Sequence, residues 1–192
     1  MKLLSIDIET TGLDPNYCSV LEIGAVLFTP QPDLALLPEE RRWSAWETLL
    51  RHSRIQGEAT ALAMHSQLLA EISGRITTHR TILTATAAMV GLRNFLRGHG
   101  IDASDNQVTI VGKNFDAFDA RFLQMIPGWS TEVAPLCSRR TLDVGSLCFC
   151  PSDGEVVSLS KCLSKLGIAD QVSHRALDDA TQVATCVSRF FS

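Results

Sequence analysis

Hydrophobic residues in this chain change their spacing several times, and each change marks an element. Leu3 to Ile8 is a short apolar run ended by the turn-forming stretch Thr11-Gly12-Leu13-Asp14-Pro15-Asn16, which predicts a strand. Val20 to Phe28 is apolar almost throughout and closes at Thr29-Pro30, predicting a second strand beside the first. Residues 30–45 hold three prolines and the charged run Glu39-Glu40-Arg41-Arg42, the composition of an exposed loop. A further strand is expected near Trp46–His52. From Glu58 the period becomes helical. Ala61, Leu62, Met64, Leu68, Leu69 and Ile72 predict a helix over 58–72, and Ile82, Ala85, Met89, Leu92, Phe95 and Leu96 predict another over 81–96. Val108 to Gly112 reads as a buried strand, and Asn114 as the N-cap of a helix reaching about Met125. Another strand is expected over Arg140–Val144, then closing helices over Leu159–Leu166 and Ala176–Phe191.

Strands that come early as neighbours, followed by strands alternating with helices, predict an α/β fold. Its mixed central sheet should hold about five strands, flanked by helices on both faces. No internal repeat or composition break divides the 192 residues, so a single domain spanning 1–192 is expected, large enough to bury a core without disulfides. The net charge of -4 argues against a protein that coats long nucleic acids, which must neutralise many phosphates. An enzyme that grips a few phosphates through bound cations stays possible, because a cation inverts the local charge. The cysteines form no Cys-x-x-Cys pair, which suits free thiols in a reducing compartment. Asp7 falls where the apolar core of an export signal would lie, and no apolar run reaches membrane-spanning length. A soluble cytoplasmic protein is the expectation; monomer and homodimer are both left open.

Asp7 and Glu9 are two apart on the first strand, so both side chains point to one face. They sit at its C-terminal end, where α/β sheets place their ligands. Adjacent carboxylates repel, and burial makes that costly unless a cation or a proton is shared. All-oxygen ligation favours Mg²⁺ or Mn²⁺ over zinc. The plain alternative is an exposed acidic strand end.

Two further clusters each hold a pair of acids, and helix geometry separates the members. In residues 112–123, Phe115, Phe118, Phe122 and Ile126 define an apolar face that Asp119 borders. Asp116 lies toward solvent, in a first turn where an acid simply complements the helix dipole. In His174-Arg175-Ala176-Leu177-Asp178-Asp179-Ala180, the stripe Ala176, Ala180, Val183, Val187 and Phe190 would pack on the sheet. Asp179 lies beside Ala176 on that stripe, whereas Asp178 points nearly opposite. His174 alone reads as a surface histidine; next to an aspartate aimed at the sheet, it becomes a candidate general base.

The three clusters together resemble the DEDDh (DnaQ-like) 3′–5′ exonucleases of the ribonuclease H-like superfamily. Asp7-Ile8-Glu9-Thr10-Thr11-Gly12-Leu13 is similar to that family's opening motif. Asp119 precedes Phe122-Leu123 as in a common form of its second motif, and His174, Ala176, Asp179 and Ala180 fall on its third. The likeness extends to Glu22-Ile23-Gly24-Ala25-Val26 and Ala61-Leu62-Ala63-Met64, and so covers essentially the whole chain. His65 stands where many relatives carry asparagine.

The resemblance implies a ribonuclease H-like fold and a metal-dependent exonuclease that releases nucleoside 5′-monophosphates from single-stranded or frayed DNA or RNA 3′ ends. Asp7, Glu9, Asp119 and Asp179 would hold two Mg²⁺ or Mn²⁺ ions, with Asp7 as the bridge, and His174 would take the proton of the attacking water. Thr10, Thr11 and Leu13 would position the terminal nucleotide, by backbone N–H groups and apolar contact, although turn chemistry explains them equally well. Met64 would help if its helix lines the cleft; a core methionine is the simpler reading. Two other classes compete: a 3′-end-binding module of the same fold with weak catalysis, and a small-molecule phosphohydrolase, in which His174 would be idle.

Overall fold

The computed structural model describes residues 1–30, 43–168 and 174–191. The loop expected over 30–45 falls, from 31 to 42, outside the described residues, and Arg41 and Arg42 with it. Six strands form the sheet: β1 Leu3–Thr10, β2 Val20–Phe28, β3 Ser44–Arg51, β4 Ile82–Thr84, β5 Val108–Gly112 and β6 Cys137–Asp143. Their spatial order is β4-β3-β2-β1-β5-β6. β1, β2 and β3 pair antiparallel, while β3–β4, β1–β5 and β5–β6 pair parallel. The mixed sheet follows the expectation, with one strand more. The extra strand is β4, whose residues the period had assigned to the following helix. Ile82–Thr84 instead pairs with the edge residues Leu49–Arg51, and Thr84 caps α3, accepting the Ala87 N–H.

The helices are α1 Ala59–Met64, α2 Ser66–Ile72, α3 Ala85–Gly98, α4 Asp119–Leu123, α5 Val144–Leu147, α6 Leu159–Lys165 and α7 Ala176–Phe190. The single helix expected over 58–72 is two, broken at His65 (φ -92°, ψ 23°). The helix expected after Asn114 starts later. Asn114 has φ 58°, and its carbonyl takes the N–H groups of both Ala117 and Phe118. Tight turns therefore occupy 114–118, and Asp119, not Asp116, opens α4.

Side chains alternate across β1 and fill two cores. Leu4, Ile6 and Ile8 pack with Met89, Leu92 and Leu96 of α3 and Phe122 and Leu123 of α4. Leu3 faces the other way, with Val26 and Phe28 of β2 and Ala180, Val183 and Val187 of α7. Helices thus cover both faces of the sheet. The period of two settles which layer each β1 residue belongs to, and it places Asp7 and Glu9 on the α7 side.

Candidate active site

β2 runs beside β1 with Asp7 opposite Gly24 and Glu9 opposite Glu22. A Cβ on Gly24 would lie 2.3 Å from the Leu177 backbone nitrogen and 2.4 Å from the Ala176 carbonyl carbon. The bare glycine lets the first turn of α7 rest against the strand, and the fully buried Ala176 and Ala180 allow the same close approach. Asp179 is thereby delivered to the strand residues: one carboxylate oxygen each from Asp7, Glu9 and Asp179 lie within 4.8 Å of one another.

Asp119 arrives from the opposite edge of β1. Strands β1 and β5 pair only over Leu3–Ser5 and Thr109–Val111. Past that point the Asp119 carboxylate accepts the N–H of Ile8 as well as its own. Asp119 is 4% exposed. It is not one of the close triplet, but its charge acts on Asp7.

The electrostatics are those of a site built for cations. Burial, then the charges of Asp119, Asp179 and Glu9, push the Asp7 carboxyl well above the usual range. Burial and Asp179 likewise raise Glu9 to about 8. Burial takes Asp119 to about 7, against the two N–H bonds that oppose the rise. Crowded anions with this donor set suit a hard divalent cation with oxygen ligands, and the residues present fit such an ion.

Behind the cluster lies a second charged layer. Glu22 is fully buried, and its Oε1 takes a 2.6 Å bond from the Arg80 guanidinium. Arg80 also donates twice to Glu71 Oε2, at 3.1 and 2.8 Å. The arginine favours the charged form of Glu22, and that charge helps to raise Glu9.

His174 lies just before α7 at φ 49° and is exposed. It lines a cavity of about 180 Å³ with Met64, His65, Arg80 and Arg175. Met64 is 57% exposed and belongs to this cavity wall, so the core reading of that residue gives way. Leu13 is 71% exposed, with its N–H held by Glu58 Oε1 at 2.9 Å. The two threonines serve the turn. Thr10 donates its hydroxyl to the Gly12 carbonyl at 2.8 Å, and Thr11 donates its hydroxyl to Gln56 and its N–H to Ser19. The Thr11 backbone donor expected to meet a nucleotide is therefore spent inside the fold. Asp116 and Asp178 are exposed, and Asp116 accepts the Thr141 hydroxyl.

Sequence reasoning gave no site role to His65 and did not pair Glu22 with Arg80. A signal existed for each: His65 sits in the apolar stripe between Ala61 and Leu68, and Glu22 is the one acid in an otherwise apolar strand. A polar residue at a buried period position usually has a partner.

A mixed sheet with helices on both faces and acids gathered at the end of its first strand defines the class by its fold, the ribonuclease H-like fold. The sequence pattern of the Rv2179c-like 3′–5′ exoribonuclease domain family matches residues 2–191, and the chain belongs to that family. Among solved structures, a full-length 3′-exonuclease superposes with a TM-score of 0.67 at 14% identity, over 99% of this chain and 60% of its own. A product-bound exonuclease I gives 0.65 at 12% identity, over 96% and 42%. A zinc-bound complex of E. coli ExoI with single-stranded DNA gives 0.65 at 14%, over 97% and 40%. These likenesses establish the fold, and this chain spans 60% or less of the length of each. No curated protein matches the sequence. Among the described residues, no helix is long and apolar enough to cross a membrane.

Proposed function

We propose that this chain shortens single-stranded or frayed nucleic acid from its 3′ end, releasing nucleoside 5′-monophosphates, with His174 as general base. The observation that carries this reading is the convergence of Asp7, Glu9 and Asp179 within 4.8 Å, with Asp119 bonded to the adjoining β1 backbone. The family's description favours RNA as the substrate.

Asp7, Glu9, Asp119 and Asp179 would hold two Mg²⁺ or Mn²⁺ ions. Such ions, when bound, stabilise the charge that develops on the attacking and leaving oxygens of a phosphoryl displacement. His174 accepts the proton of the attacking water at an imidazole nitrogen, the usual work of a histidine general base. Its exposed place beside the cavity leaves room for water and for the substrate phosphate. Leu13 and Met64, both apolar and exposed, offer contact surface to the terminal base. Thr10 and Thr11 hold the turn that presents Leu13.

End-labelled single-stranded RNA and DNA, incubated with the purified chain and Mg²⁺ or Mn²⁺, should shorten stepwise from the 3′ end, RNA faster. Asp7→Ala, Asp119→Ala and Asp179→Ala should each lower the rate by more than the roughly 10–100-fold typical of residues that only support a metal ligand. Asp116→Ala and Asp178→Ala should stay near the unmodified rate. Binding of 3′ ends without shortening would establish a binding module in place of a nuclease, and activity that survived Asp179→Ala but not Asp178→Ala would overturn the site.

A further inference from the structure

His65 occupies the break between α1 and α2 and is 6% exposed. Its Nε2 lies 3.4 Å from Oε2 of Glu9, whose carboxylate also has an oxygen within 4.8 Å of oxygens of Asp7 and Asp179. We propose that His65 is a positioning residue for the metal centre, its imidazole N–H fixing the orientation in which Glu9 meets a cation. The proposal rests on the cation-binding part of the reading above and not on cleavage.

The reason lies in what surrounds Glu9. A glutamate has a long side chain with freedom of order 1.5–2 kcal/mol to lose on being fixed. Asp179, Glu22 and Asp119 all repel it, so without an opposing contact it would swing away from the place where an ion needs it. His65, at the junction of α1 and α2, supplies that contact from across the cleft. A neutral imidazole with its hydrogen on Nε2 would donate across the 3.4 Å gap to the Glu9 carboxyl. Residues that orient a metal ligand in this way typically change metal affinity by about 10–100-fold.

Two substitutions separate positioning from packing. His65→Leu keeps the apolar bulk and removes the donor; His65→Gln keeps a donor nitrogen at similar reach. The full chain, stripped of metal, is titrated with Mn²⁺ by calorimetry without nucleic acid, alongside metal-free thermal melting. The leucine variant should bind Mn²⁺ roughly 10–100-fold more weakly while melting near the unmodified protein, and the glutamine variant should recover most of the affinity. In the unmodified chain, saturating Mg²⁺ should also shift the ¹⁵N resonances of the His65 ring. Unchanged Mn²⁺ affinity in the leucine variant overturns the proposal, as does a ring signal that ignores Mg²⁺, which decides the matter even if His65→Leu does not fold. A chain that binds Mn²⁺ in the expected order but leaves RNA and DNA intact refutes the nuclease reading and leaves this one standing.

Discussion

Gly24 stands directly across the β1–β2 ladder from Asp7, and the space its missing side chain leaves is filled by the first turn of α7. The same helix carries Asp179. A residue chosen for emptiness on one strand therefore decides whether the acid on the next has a partner. The three atoms nearest that space are backbone atoms of Ala176 and Leu177, and backbone cannot move aside as a flexible side chain can.

Gly24→Ala should accordingly harm the site more than the fold. Overpacking of this kind destabilises by about 1–3 kcal/mol, readable by urea unfolding. Mn²⁺ affinity should fall further than that loss accounts for, because α7 must lift and take Asp179 with it. An alanine variant with undiminished Mn²⁺ binding would show that α7 is not seated by this contact.

Metal-free protein should lose stability as the pH rises. Glu9 moves from its ordinary 4.5 to about 8 on folding, so the folded state holds the proton more tightly than the unfolded chain. Stability is then full below the unfolded value and declines across the window from about 4.5 to about 8. Asp7 and Asp119 are shifted in the same direction. Melting temperatures measured in chelator from pH 5 to 8.5 should fall, and added Mg²⁺ or Mn²⁺ should reverse most of the fall at the alkaline end. A flat or rising profile in chelator would contradict the raised carboxyls.

Arg80 is expected to be worth more to the fold than its surface-type chemistry suggests. Removing it strands Glu22 in the core with its other oxygen, Oε2, already lacking a hydrogen-bond partner. Breaking a buried pair from one side typically destabilises by about 3–5 kcal/mol, so Arg80→Leu should show a loss of that order in chemical denaturation. Adding Glu22→Gln to Arg80→Leu should restore part of it. Equal loss in the single and double variants would mean that the guanidinium acts through packing alone.

Much of this protein was legible before any coordinates. The alternation in Leu3–Glu9 put Asp7 and Glu9 on one face, and the apolar stripe of Ala176–Phe190 chose Asp179 over Asp178. Asp119 was also chosen over Asp116, although by a helix longer than the real one. The difference in burial does not depend on that helix: Asp119 is 4% exposed beside the buried Phe122, and Asp116 is exposed. Thr84 and His65 show where periodicity misleads: a three-residue strand and a helix break leave the apolar spacing almost undisturbed. Nor did sequence say that Thr11 spends its N–H on Ser19, since that bond joins residues eight apart through the shape of a turn.

By itself, then, the sequence determined the residue types, the faces they occupy and the family to which the three motifs belong, because faces follow from local backbone geometry and motifs from order along the chain. Tertiary structure decided which charges meet. The 3.4 Å approach of His65 to Glu9, the pairing of Glu22 with Arg80 and the seating of α7 over Gly24 join segments distant in sequence. Such contacts depend on register and packing, which no local spacing encodes.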